Sequence, residues 1–332
     1  MLTLGWKASA EQFGPQELLD YGIAAEAHGF DSIVVSDHFH PWKDTDGHAP
    51  FSFAWLGAMG ARTTRARLGT SVVTPTFRYH PAVVAQAFAT LGVLFPGRVF
   101  LGVGSGESMN ETPLTGHEWP PPAERLHRLG EAVELIRELW ADDYVTWTGK
   151  HYRTEAAKIF DKPTEPVPIF IAAAGPRAAE QVGRIGDGFI CTSGKGMELY
   201  RDVLLPNLEK GAREAGRDSS RIERMIEIKV SYDTDRDRAL ADTREWAALA
   251  LPAEDKAGVE DPREMERRAA AVANDAHTRF IVTSDADECV AAIEPYLGLG
   301  FTHLVFHFPG KDQERAMALF AAEVLPLLRK RS

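Results

Sequence analysis

Asp37, His38, His40 and Trp42 sit together in Ser36-Asp37-His38-Phe39-His40-Pro41-Trp42, directly after the apolar run Ile33-Val34-Val35. An imidazole titrates near neutrality and can take or return a proton, so an acid, an imidazole and an indole where a buried strand opens into a loop form a candidate reaction centre. A second candidate is Gly102-Val103-Gly104-Ser105-Gly106-Glu107. It fails as a dinucleotide turn, because Glu107 stands where the third glycine of G-x-G-x-x-G belongs and its charge would repel a pyrophosphate. Its glycines instead let a planar ligand lie close to the backbone while one carboxyl group faces it. A third is Thr192-Ser193-Gly194-Lys195-Gly196. It lacks the first glycine and the metal-binding hydroxyl of a nucleotide-phosphate loop, which leaves Lys195 as a point charge suited to a phosphate. His38-x-His40 also has the spacing of a metal seed, and a metal-dependent hydrolase is the rival reading. Ala173-Ala174 and Cys191-Thr192 stand where its further imidazoles would be needed, so no metal is expected.

Positioning these groups requires strands that end side by side. Strand-length apolar runs recur at 2–7, 32–35, 68–73, 98–103, 167–172, 188–191, 225–231 and 302–306, with amphipathic Ala- and Glu-rich stretches between them. The helical stretches 15–28 and 81–94 each begin with proline, which suits a first turn. About eight parallel strands in some 300 residues predict an α/β fold, a (β/α)₈ barrel in which ligands collect at the carboxyl ends of the strands. Two segments exceed a minimal barrel and read as insertions, one near 143–152 and one near 235–276. With no repeat or linker in view, residues 1–332 read as a single domain.

The chain has 332 residues, 44% of them hydrophobic, enough to bury a large core without disulfides. Cys191 and Cys289 are far apart and match no zinc or disulfide pattern, and no leader or membrane-spanning run is visible, so a cytoplasmic protein is expected. A net charge of −11, with basic residues dispersed among acids, argues against nucleic acid as a partner. Any anionic ligand must therefore be held by a local basic pocket.

The stretches Lys7 to Phe13, Ser36 to Phe39, Thr70 to Tyr79, Gly106-Glu107 with Asn110-Glu111, Ile190 to Gly196, Met225 to Lys229 and His303 to His307 together resemble the coenzyme F420-dependent glucose-6-phosphate dehydrogenases of the luciferase-like superfamily. The resemblance covers nearly the whole chain. It implies a barrel enzyme, with homodimeric relatives, that passes a hydride from C1 of glucose 6-phosphate to C5 of the deazaflavin coenzyme F420. It further implies that His38, Glu107 and Trp42 surround the reacting centre, with the two protons unassigned between His38 and Glu107. Asp37, Ser71, Val72, Thr74, Gly106, Asn110, Ala174 and Gly175 would hold the coenzyme, with a cis peptide between Ser71 and Val72. Thr192, Lys195, Lys256 and Arg279 would hold the sugar phosphate. Where the family has a Gly-Gly pair before proline, this chain has Ala174-Gly175-Pro176, placing an extra methyl group beside the coenzyme. Another flavin or deazaflavin reductase or monooxygenase of the same barrel is the nearer alternative. A sugar-phosphate sensor without chemistry is the remoter one, and it would need no proton-transfer pair.

Overall fold

Short β-branched and apolar segments followed by helices close into a ring in a computed structural model that describes residues 2–331. The strands are β1 (Thr3–Ala8), β2 (Ser32–Val35), β3 (Arg67–Thr70), β4 (Val99–Val103), β5 (Ile169–Ala172), β6 (Gly188–Thr192), β7 (Glu223–Tyr232), β8 (Ile281–Thr283) and β9 (His303–His307). Strands β1 to β7 pair in parallel in chain order, and β9 pairs with both β7 and β1, so eight strands form the closed barrel expected from the sequence. β8 lies outside the ring. The ten-residue β7 overshoots the barrel, and its last residues, Val230 to Tyr232, pair with β8. Three residues are too few to stand out as an apolar run, which is why the sequence did not reveal this strand.

Inside the ring, Val34, Phe100, Phe170, Ile190, Met225 and Val305 form an apolar plug. Phe100 and Phe170 stack with centroids 4.8 Å apart. Gly69 and Gly188 make room for them, since a Cβ there would come within 2.3 Å and 2.4 Å of the respective rings. The Arg67 guanidinium closes the floor over both rings and pairs with Glu223 at 2.8 Å. A larger core fills the layer between strands and helices, where Trp6, Phe88, Phe306 and Phe320 are fully buried. The helices Pro15–Ala27 and Pro81–Leu94 begin at proline as read, and the His80 side chain caps the second by accepting from the Ala82 amide at 3.2 Å.

Residues 143–157 form an irregular hairpin with bridges Val145–Ala157 and Thr148–Arg153. The Glu131 carboxylate anchors it by accepting from the amides of His151 at 3.0 Å and Tyr152 at 2.9 Å. Between β7 and β8 the chain folds into short helical pieces around an apolar cluster of its own, including Leu251, Val259, Met265 and Ala276, and Trp42 packs against it. No helix among the described residues is long and apolar enough to cross a membrane.

Candidate active site

A cavity of about 720 Å³ opens at the carboxyl ends of the barrel strands, within the usual range for a ligand site. After β2, Asp37 and His38 line it; after β3, Ser71, Val72 and Thr74; after β4, Gly106, Glu107 and Asn110. Ala174 and Gly175 follow β5, and Thr192 and Lys195 come from the end of β6 and the turn after it. Trp42, Lys256 and Arg279 stand outside this wall, on the side of the segment between β7 and β8.

His38 is the best-supported group in the cavity. Its Nε2 stands 3.0 Å from Glu11 Oε1, and Ser36 Oγ donates to the other oxygen of the same carboxylate. Burial pushes the Glu11 carboxyl up, but the charges of His38 and Lys7 and the Ser36 hydrogen bond outweigh it and hold the group below its ordinary value. A buried anion at Nε2 stabilises an imidazolium as a proton arrives. His38 Nδ1 lies within reach of an acceptor, the His40 carbonyl at 3.1 Å, and of a donor, Asn110 Nδ2 at 3.2 Å. The ring therefore keeps a partner at that nitrogen in either protonation state. Asn110 also accepts from the amides of Phe39 at 2.9 Å and His40 at 3.2 Å, which fixes the loop that carries His38.

Behind His38 lies a buried charged triad. The Arg78 guanidinium pairs closely with Asp37, and its Nε lies 3.4 Å from Glu111 Oε1, with all three side chains at most 5% exposed. Ser52 Oγ donates to Asp37 at 2.6 Å. Asp37 thus lines the cavity while its carboxylate faces Arg78 and Ser52. Burial outweighs the pull of Arg78 at both carboxyls, and Asp37 too stands above its ordinary value. Burial, with the Asp37 charge, pushes the Glu111 carboxyl up to about 7 against the pull of Arg78. The folded protein then holds a proton that the unfolded chain has lost above its ordinary value of 4.5. This stability is fully present below that value and disappears as the pH rises through about 7. Glu111→Gln is accordingly expected to flatten the fall in melting temperature between about pH 5 and 8; thermal denaturation across that range checks it, and a parallel fall in both proteins would refute it.

The glycine turn after β4 is shaped by close packing. Gly106 has φ +83°, and a Cβ there would stand 2.8 Å from Thr74 Cγ2, a position that only glycine fills without strain. Glu107 follows as an exposed N-cap residue of the helix Ser108–Thr115, its carboxylate 3.4 Å from Asn110 Nδ2. Opposite, the Ser71–Val72 peptide is cis, as the resemblance implied, and Lys7 Nζ donates to the Ser71 carbonyl at 2.7 Å. Ala174 exposes its methyl group to the cavity, next to the open backbone of Gly175. Cys191 lines the wall but burial pushes its thiol far up, so it is no thiolate nucleophile.

Cations gather on the far side. Burial, with the positive charges of Arg279 and Lys195, holds the Lys256 ammonium below its ordinary range, while Glu107 acts in the opposite sense. Arg279 Nε is buried without a hydrogen-bond partner. Gly194, at φ +80°, lets the Lys195 turn approach the Arg279 carbonyl, which would lie 2.9 Å from a Cβ. Like charges brought together and left unsatisfied make a place for an anion. Lys256 Nζ also sits over the Trp42 ring, 5.9 Å from its centroid, and Trp42 lies 6.3 Å from the His38 ring.

Three elements of the site escaped sequence reasoning. Glu11 and Arg78 are separated in the chain from the side chains they serve. Glu227 and Lys229 carried a signal in the alternation Met225-Ile226-Glu227-Ile228-Lys229, where charges recur on one face of an otherwise apolar strand. His127, Glu131 and His151, none of them on the cavity wall, bring ligand-type atoms within 4.8 Å of one another, around the carboxylate that anchors the hairpin. His40, by contrast, places Nδ1 3.0 Å from the Glu260 carbonyl.

A family model described as luciferase-like monooxygenase matches residues 3–303. A protein of Nakamurella multipartita named F420-dependent glucose-6-phosphate dehydrogenase is 58% identical, over 99% of this chain and 97% of its own. A protein of the same name from Nocardia farcinica is 59% identical over 99% and 98%. Among solved structures, an F420-dependent secondary alcohol dehydrogenase in complex with an F420-acetone adduct superposes with a TM-score of 0.91 at 36% identity, covering 97% of this chain and 98% of that one. The coenzyme F420-dependent tetrahydromethanopterin reductase of Methanopyrus kandleri, at 22% identity and a TM-score of 0.81 over 98% and 99%, shares the fold. Full-length matches of this strength leave one conclusion: the chain belongs to the luciferase-like monooxygenase family and, within it, to the F420-dependent glucose-6-phosphate dehydrogenases.

Proposed function

We propose that this protein oxidises glucose 6-phosphate at C1 to 6-phosphogluconolactone, with coenzyme F420 as the hydride acceptor. The observation that carries the proposal is the Glu11–His38 pair on the cavity wall together with Lys195 on the same wall and the Lys256 and Arg279 cations next to it. The pair suits removal of a hydroxyl proton, and the cations suit a dianion. A neutral alcohol would leave those cations without a partner, and a sensor would have no use for a proton-accepting pair.

The cavity fits a flat ring. Val72, Ala172, Ala174 and Ile190 offer apolar surface, the backbone at Gly175 is open, and Glu107 presents one carboxyl group. Coenzyme F420, when bound, supplies the hydride-accepting carbon. Asp37, Ser71, Val72, Thr74, Gly106, Asn110, Ala174 and Gly175 surround it in this reading. His38 takes the proton of the C1 hydroxyl at the ring nitrogen that does not face Glu11, because the buried Glu11 carboxylate at Nε2 stabilises the resulting imidazolium. Glu107, exposed at its helix N-terminus, serves the coenzyme end as the acid. Trp42 packs over the reacting centre and excludes water, while Thr192, Lys195, Lys256 and Arg279 hold the phosphate. The proposal extends to a cytoplasmic homodimer; two buried free cysteines suit a reducing compartment, and light scattering on the purified protein reads the mass.

The deciding experiment mixes purified protein, oxidised F420 and glucose 6-phosphate at neutral pH and follows the visible band of the coenzyme. Bleaching is expected; a persistent band with folded protein would overturn the proposal. Lys256→Ala is expected to raise KM for the sugar phosphate by about tenfold or more with kcat nearly unchanged, the signature of lost uniform binding. An unchanged KM would remove Lys256 from the phosphate site.

A further inference from the structure

Strand β7 carries Met225, Glu227 and Lys229 at two-residue spacing, and Met225 belongs to the apolar plug inside the ring. Alternation therefore turns Glu227 and Lys229 inward as well, one and two steps above the plug. Glu227 lines the cavity and sits in register with Thr192 of β6. Its carboxylate is surrounded by positive or protonatable groups, Lys7 Nζ and His307 Nδ1 at 3.4 Å and Lys229 Nζ at 3.7 Å. These lie beyond the 2.7–2.9 Å of a close charge-assisted hydrogen bond. The cations keep the carboxylate ionised without saturating its oxygens. Lys7 is itself engaged with the Ser71 carbonyl at 2.7 Å.

A bare carboxylate beside a phosphate site would be repulsive. Neutralised by Lys7 and Lys229, it no longer opposes the Lys195, Lys256 and Arg279 cluster and becomes a strong acceptor pointing into the cavity. A pyranose brings several hydroxyl donors into such a space, and each one buried without an acceptor keeps its full desolvation penalty. His38 and Glu107 are engaged with the reaction in the proposed function, on which this inference rests. With Asp37 engaged by Arg78 and Ser52, Glu227 is a further charged acceptor on the cavity wall.

We infer that Glu227 is a specificity-determining residue, its carboxylate accepting a hydrogen bond from a ring hydroxyl of the sugar other than the one at C1. The site then selects a polyhydroxylated sugar phosphate over a simple phosphorylated alcohol.

The test compares kcat/KM for glucose 6-phosphate with its 2-, 3- and 4-deoxy analogues, in the wild type and in the Glu227→Gln and Glu227→Asp variants. The wild type is expected to lose about 10- to 100-fold on one analogue, as fits a hydrogen bond to a charged group. Both variants are expected to lose a comparable factor on the parent sugar and to stop discriminating against that analogue, with F420 binding, read by fluorescence, retained. Glu227→Asp keeps the charge balance with Lys7 and Lys229 while withdrawing the carboxylate by one methylene, so it answers the question if Glu227→Gln fails to fold. Folded variants that discriminate as the wild type does would overturn the inference, as would a wild type indifferent to all three deletions. A wild type that oxidises none of these sugars would instead sink the proposed function.

Discussion

His38→Ala is expected to lower kcat for glucose 6-phosphate oxidation by about 10²- to 10⁴-fold, the range contributed by a positioned proton acceptor, while F420 binding changes little. Losing a hydride from C1 requires the hydroxyl proton to leave with it, and His38 is the imidazole on the cavity wall with a buried carboxylate 3.0 Å from Nε2. Alanine removes the acceptor and leaves Glu11 without the ring that bridges it to the cavity. Glu11→Gln should give a smaller loss of kcat, because the ring keeps its place through Asn110 and the His40 carbonyl but no longer has an anion to stabilise its protonated form. Stopped-flow bleaching of F420 at saturating sugar measures both. A His38→Ala enzyme within a factor of about three of wild type would move the proton acceptor elsewhere, since so small a factor is under 1 kcal/mol of barrier.

Arg78→Met is expected to destabilise the fold by about 3–5 kcal/mol at neutral pH, the cost of leaving buried charges uncompensated. Arg78 is the cation between Asp37 and Glu111, and it ties the β2 exit to the β3 loop and the helix after β4. The pH dependence carries a definite sign. Both carboxyls already stand above their ordinary values through burial, and Arg78 opposes that rise. Without it they rise further, so the deficit of the variant should be smallest below about pH 3, where both groups are protonated even in the unfolded chain, and should grow as the pH rises. Denaturant titrations at acidic and neutral pH test this. An equal deficit at both would mean that lost side-chain packing, not unpaired charge, dominates.

The barrel was legible because its signal is local. Apolar runs at 32–35 and 188–191 announce buried parallel strands without reference to anything else in the chain, and the functional groups at their ends follow from where such strands deliver ligands. Gly106 and Gly194 were legible as turns for the same reason, and both adopt positive φ. The partners of these groups were not. Glu11 sits in the turn after β1 and Arg78 in the loop after β3, and only closure of the ring brings them to His38 and Asp37. The triad also adds to what the sequence says of Asp37, since the carboxylate expected at the coenzyme lines the cavity and at the same time faces a buried guanidinium.

By itself, then, the sequence determined the ring of strands, the chemical kinds of group at its mouth and, through the resemblance of its motifs, the reaction to test. Tertiary structure alone decided which of those groups share charge: Glu11 with His38, Arg78 with Asp37 and Glu111, and Glu227 with Lys7, Lys229 and His307. The division has a physical cause. Strand and turn preferences act over a few residues, whereas electrostatic coupling depends on distances of a few ångströms and on burial, and neither exists until the barrel closes.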